Sequence, residues 1–184
     1  APNTVSPAGL PASSFIVGID KLPESLVVTG TNIAPTGGIA QGFETAMARL
    51  DARASRSSVV WTQVRVNKAG NLSDSDVTTL RLYRDSDGTG TLTPADFFVA
   101  SAPFVTGQAV LAFSSAQTVG VATQTYLVAA VLNLTAAVGA NLGLTIPNAG
   151  FFTVAAPDSA SSAGLPFSTP LVPILDARTP TIPV

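Results

Sequence analysis

Residues 59–66 read Val59-Val60-Trp61-Thr62-Gln63-Val64-Arg65-Val66, and residues 125–132 read Thr125-Tyr126-Leu127-Val128-Ala129-Ala130-Val131-Leu132. The first stretch alternates, with Val60, Thr62, Val64 and Val66 expected on one face and Trp61, Gln63 and Arg65 on the other. That period of two belongs to a strand with one face on a core. The second stretch is continuously apolar, as in a central strand covered on both faces. Working outward, Leu26–Thr29, Phe97–Ala100, Ala109–Phe113 and Phe151–Val154 are further strand candidates. Thr79–Arg84 turns Leu80 and Leu82 inward, and Leu142, Leu144 and Ile146 alternate again. Turn residues separate these runs: Ala69-Gly70-Asn71, Thr106-Gly107, Val138-Gly139 and Asn148-Ala149-Gly150. Short strands at this spacing without interleaved helices predict an all-β, antiparallel sandwich.

One segment reads two ways. Phe43, Ala46, Met47 and Leu50 fit helical spacing, whereas Ala46, Ala48, Leu50 and Ala52 fit a strand. The strand reading is preferred, because residues 59–66 need a partner.

Composition narrows function. The 184-residue chain is 46 % hydrophobic, ample for a core, yet only 11 % charged, against about 25 % in ordinary soluble domains. No Asp, Glu, Lys or Arg occurs from Phe97 to Pro157. A monomer uses surface charge to stay apart from its neighbours, whereas a chain inside an assembly needs less of it. A Ser/Thr-rich surface is the other explanation. Net charge is −2, with no basic run, so nucleic acid is not an expected partner. Cysteine and histidine are both absent. That excludes disulfides, thiolate metal sites, cysteine nucleophiles and Ser–His hydrolysis. An enzyme is not expected. No run approaches the roughly 18 to 20 apolar residues of a membrane helix, and a small first residue, Ala1, suits signal-peptide cleavage.

Both ends are proline-rich and apolar. Residues 1–24 read as an extended arm, 25–156 as the sandwich and 157–184 as a second arm. Pro2, Pro7 and Pro11 forbid a helix early on. Ser13–Ile19 is proline-free, with Phe15, Val17 and Ile19 alternating about Ile16. Disordered tails are normally polar and charged, so these ends are expected to lie on their own domain or on a neighbouring molecule.

The densest polar constellation is Asp85-Ser86-Asp87-Gly88-Thr89-Gly90-Thr91-Leu92-Thr93-Pro94-Ala95-Asp96. Numbered as a twelve-position calcium loop, it puts Asp85 at 1, Asp87 at 3, Thr89 at 5, Gly90 at 6, Thr91 at 7 and Asp96 at 12. Calcium takes six to eight oxygen ligands around a sharp glycine turn. Asp85, Asp87, Thr89, Thr91 (through its carbonyl) and Asp96 are the candidate ligands, with Leu92 expected to pin the loop to the core. Thr89 stands where Asp or Asn is usual, and Asp96 replaces the usual Glu, which resembles the loop of dockerin modules. A plain polar turn is the alternative reading. Asn71, Asp74 and Asp76 form a second acidic turn, read as a solvated loop. Asn71 and Asn133 head glycosylation sequons, of which only Asn71 is a plausible carrier. Trp61 is read as packing rather than as a sugar platform.

Residues 59–154 also resemble a module of secreted prokaryotic surface proteins. The resemblance rests on Trp61-Thr62, on Gly70-Asn71-Leu72-Ser73-Asp74-Ser75-Asp76-Val77, on Leu82 to Gly88, on Asp96-Phe97 and on Tyr126-Leu127-Val128. It implies an immunoglobulin-like or jelly-roll sandwich at the cell surface. The flanking arms resemble those of filament subunits that polymerise by donor-strand complementation, of TasA-like and bundling-pilus type. That resemblance implies a structural homopolymer outside the cell, with Phe15, Ile16, Val17 and Ile19 as the donor strand and Pro170 and Pro173 making the other arm a strap. Other surface or matrix components would be further partners. A calcium-stapled module binding carbohydrate or protein is the alternative.

Overall fold

The computed structural model describes residues 21–177, which form two β-sheets and, within that range, no α-helix. The strands are β1 (Ser25–Asn32), β2 (Ile39–Ala40), β3 (Glu44–Ala54), β4 (Ser58–Ala69), β5 (Val77–Arg84), β6 (Phe97–Ala102) and β7 (Gln108–Gly120). They continue as β8 (Gln124–Leu132), β9 (Asn141–Ile146), β10 (Phe152–Val154), β11 (Ser159–Ala160), β12 (Phe167–Ser168) and β13 (Val172–Leu175). Short 3-10 turns at Asp74–Asp76 and Ala149–Phe151 link β4 to β5 and β9 to β10.

The first sheet runs β11-β1-β3-β8-β5-β6. The second runs β10-β4-β9-β13-β2, with β7 on β4 and β12 on β9. Two parallel pairs, β1 with β11 and β13 with β2, make both sheets mixed rather than antiparallel throughout. The ambiguous segment is strand β3, pairing β1 on one side and β8 on the other. Burial of Met47, Ala48, Leu50, Ala52 and Ala54 draws it into the sheet, overriding residues that are good helix formers.

The expected facing of β4 needs correcting. Val59, Trp61, Val64 and Val66 are buried, while Val60, Thr62, Gln63 and Arg65 are not. The register against β7 shifts between Trp61 and Gln63, which pair with Gln117 and Ala112. An irregularity of this kind flips the side-chain phase, so both halves of β4 turn their large apolar residues inward. Trp61 thereby sits between the sheets, fully buried, its Nε1 donating to the Gln63 carbonyl at 2.7 Å. Its ring meets Phe113 edge-on at 4.9 Å and Tyr126 of the other sheet at 5.0 Å.

The segment after Pro157, expected as a strap over a neighbour, lies on its own sandwich as far as it is described. It supplies β11, β12 and β13. Pro173 is tolerated because β13 is four residues long and only Val172 and Pro173 face β9. Ile174 and Leu175 instead pair with β2.

Strand β8 is central to the first sheet. Tyr126, Val128, Ala130 and Leu132 face the core between the sheets. Leu127 and Ala129 alternate with them, so they point to the outer face, yet both are fully buried. Both-face burial accounts for the unbroken apolar run.

Truncating a core side chain tests this packing. Leu82→Ala is expected to cost about 2–5 kcal/mol, read as a lower urea midpoint with an unchanged slope.

Candidate metal centre

Strand β5 ends at Arg84 and β6 begins at Phe97, so the twelve-residue acidic stretch is the whole connection. It starts as a continuation of the sheet, with the Asp85 N–H donating to the Thr125 carbonyl at 2.9 Å. Gly88 (φ 72°) and Gly90 (φ 70°) then reverse the chain in the left-handed region that other residues avoid. A Cβ on Gly90 would stand 3.5 Å from Nη1 of Arg49, so the turn lies against the outer face of β3. Leu92, Thr93 and Pro94 line a cleft of about 330 Å³ with Glu44 and Tyr83 of that same face. Leu92 is thus half-buried outside the sheets, not in the core between them. Arg49 and Tyr83 are the cross-strand neighbours of Leu127, and Arg81 and Tyr83 of β5 donate across β8 to Glu44 of β3, at 2.9 and 2.8 Å.

The loop brings Asp85, Asp87 and Asp96 together: one carboxylate oxygen from each lies within 4.8 Å of the other two. Each of the six oxygens accepts a hydrogen bond from within the loop. Asp85 takes Gly88 N–H at 2.7 Å and Gly90 N–H at 2.8 Å. Asp87 takes Thr89 N–H at 3.1 Å and the Thr93 hydroxyl at 2.7 Å. Asp96 takes Ser86 N–H at 3.1 Å and Thr93 N–H at 2.8 Å. The side chains of Thr89 and Thr91 instead face each other, 3.3 Å apart, and the Thr89 hydroxyl donates to the Thr91 carbonyl at 3.1 Å. The donor set is all hard oxygen, the kind that suits calcium or magnesium and not a softer metal.

These hydrogen bonds favour the charged form. The Thr93 hydroxyl, then Thr89, holds the Asp87 carboxyl down at about 2, from an ordinary 3.8. Thr93 is a residue that sequence reading passed over. The signal was present: it stands at position 9 of the series 85, 87, 89, 91, 93, where such loops place a further ligand, often through water.

The second acidic turn is not merely solvated. Asp74 pairs with Lys68 at 2.9 Å and accepts from Gly107 N–H at 2.8 Å. Asn71 accepts from Asn141 N–H at 2.7 Å. These bonds tie three turns together at one end of the sandwich. Trp61, buried as described, offers no sugar platform. Phe15, Ile16, Val17 and Ile19 lie outside the described residues.

Searches against protein-family models and curated proteins found no match to this sequence.

Removing the Thr93 hydroxyl tests the electrostatics. In Thr93→Val the Asp87 carboxyl is expected to titrate nearer 3.8, observable by carboxyl NMR. A carboxylate depressed by folding stabilises above its ordinary value and ceases to do so as pH falls through the folded one. In the unaltered chain the loop should therefore loosen between pH 3.8 and about 2. In the variant, whose folded value stands closer to the ordinary one, that pH-dependent loss should be smaller.

Proposed function

We propose that this chain is a structural, non-enzymatic subunit of an extracellular filament or cell-surface polymer. In this reading the sandwich is of immunoglobulin-like or jelly-roll type, and subunits join head to tail through the segment containing Phe15, Ile16, Val17 and Ile19. Calcium is the proposed loop ion, held by Asp85, Asp87 and Asp96 with oxygens from Thr89 and Thr91. Its proposed role is structural, since the loop folds back against the outer face of the first sheet.

The observation that carries the reading is the distribution of charge. Residues 97–157 and 1–19 have no charged side chain, and Val105, Val121, Leu134 and Val138 of the first stretch stand exposed. Such a surface is poorly protected against association. A second copy of the chain is the partner that would use it.

Electron microscopy of the full-length chain, with calcium and with a chelator, tests both halves. Regular fibres with calcium are the expected result, together with fewer or softer fibres after chelation. Dispersed particles under both conditions would sink the polymer reading and favour a calcium-stapled binding module. For the ion itself, Asp85→Asn with Asp87→Asn should weaken calcium binding roughly tenfold or more by calorimetry, because two of three ligand charges are gone. Unchanged affinity would remove the loop from consideration.

A further inference from the structure

Two asparagines head the sequence pattern of N-glycan acceptors, in Asn71-Leu72-Ser73 and Asn133-Leu134-Thr135. Both stand at the far end of the sandwich from Lys21, whose Nζ donates to the Ser58 carbonyl at the near end. Asn71 lies just past the last residue of β4, and the Asn133 N–H donates to Asp76 of the same β4–β5 connection at 2.8 Å. Sequence alone favours Asn71, because Asn133 adjoins the apolar run of β8. The structure reverses that order. Strand β8 ends at Leu132, and Asn133 opens the connection to β9. Asn133, Leu134 and Thr135 are all exposed, Leu134 to 66 %. Asn71 is exposed too, but the next residue, Leu72, is 1 % exposed and belongs to the core. An enzyme that adds a glycan must take hold of the whole triplet, and a buried middle residue withholds it in the folded chain.

Side-chain hydrogen bonds separate the two triplets further. Asn71 Oδ1 accepts from the Asn141 N–H at 2.7 Å, and the Leu72 N–H donates back to the Asn141 carbonyl at 3.1 Å. The Ser73 hydroxyl faces Ser75 at 2.9 Å. The first triplet is thus stitched to the start of β9, and its hydroxyl is turned to another residue. In the second triplet the bonds stay inside. Asn133 Oδ1 accepts from the Thr135 N–H and from the Thr135 hydroxyl, each at 3.1 Å. This is an Asx turn, and it holds amide and hydroxyl side by side. The backbone beneath is fixed as well, since the Asn133 carbonyl accepts from the N–H groups of Gly42 and Ala136, each at 3.2 Å. The acceptor amide is presented without any strand having to open.

We infer that Asn133 is an N-glycosylation site, taking an oligosaccharide from a lipid-phosphate-linked donor. The inference rests on the extracellular part of the proposed function, because such sites belong to surface loops of secreted chains. In the transfer, Nδ2 of Asn133 forms a bond to the anomeric carbon of the first sugar. The bond from that carbon to the donor's phosphate oxygen breaks, the lipid phosphate leaves with the electron pair, and Nδ2 gives up one proton. The product is a neutral amide. Its sugar stands beside Leu134 and Val138, the latter 57 % exposed. A glycan is bulky and solubilising, which supplies at this turn the solvation that residues 97–157 lack in charge. Val105 and Val121, in the β6–β7 and β7–β8 connections, are left open to a second copy.

The native full-length chain tests this, with the cell fraction that yields it noted. Its intact mass and proteolytic peptides are measured before and after treatment with a peptide-N-glycosidase. The expected chain is extracellular and heavier than its sequence requires, with a removable sugar on the peptide that holds Asn133. Removal should leave an aspartate at that position. A sugar on Asn71 with Asn133 bare overturns the inference. So does an unmodified extracellular chain, although the extracellular reading then stands. An unmodified chain found inside the cell takes both down. In a secreting host with N-glycosylation machinery, Thr135→Ala should abolish the modification, whereas Thr135→Ser and Asn71→Gln should retain it. Thr135→Ser keeps the hydroxyl that closes the turn, so it separates loss of the acceptor triplet from loss of the fold. A sugar that persists on Asn71 in Thr135→Ala, and disappears in Asn71→Gln, contradicts the assignment.

Discussion

Burial of β8 on both faces is the constraint from which most of this molecule follows. A strand in one sheet of a two-layer sandwich ordinarily spends its outer side chains on water. Here Leu127 and Ala129 are as buried as the core residues between them. Arg81 and Tyr83 of β5 bridge over that outer face to Glu44 of β3, and the β5–β6 connection folds back against Arg49, Glu44 and Tyr83. The length of that connection, its two left-handed glycines and its three clustered carboxylates are parts of one device. The carboxylates repel one another, and backbone N–H groups with the Thr93 hydroxyl hold them together. A divalent cation would offset the same repulsion more strongly. The proposed calcium therefore belongs to the packing of the sheet rather than to a separate activity.

Most strands were legible because their alternation is set by burial, and burial is local. The run 126–130 marked the central strand correctly, since each residue there is buried. The face of β4 was not legible. Its phase changes at an irregularity fixed by β7, whose Gln117 and Ala112 lie far along the chain from Trp61 and Gln63. No pattern within residues 59–66 records that pairing. The segment after Pro157 misled for a related reason. Its prolines speak of extended chain, and β13 is extended, but which molecule it lies on is a tertiary fact set by the hydrogen bonds offered by β9 and β2.

The candidate metal centre was legible as a spacing of acidic residues around glycines. Asp85, Asp87 and Asp96 do converge. Thr93 was missed because its role depends on the fold-back that brings its hydroxyl to Asp87 across six residues. Leu92 was given the wrong neighbours, since the sequence does not say which side of the sheet the loop roofs.

The two ends of the sandwich carry different groups. At the near end, Lys21, Glu24, Ser57 and Asp158 form a polar network: the Ser57 hydroxyl and N–H donate to Glu24 and depress its carboxyl. At the far end exposed apolar side chains stand beside the Lys68–Asp74 ion pair and the Asn71–Asn141 hydrogen bond. The proposed function has such chains assemble into a polymer. Sedimentation velocity of the full-length chain with calcium, over a hundredfold range of concentration, tests that most directly. Assembly requires the weight-average sedimentation coefficient to climb with concentration towards large polymers. A single species of 18.6 kDa at every concentration would contradict it.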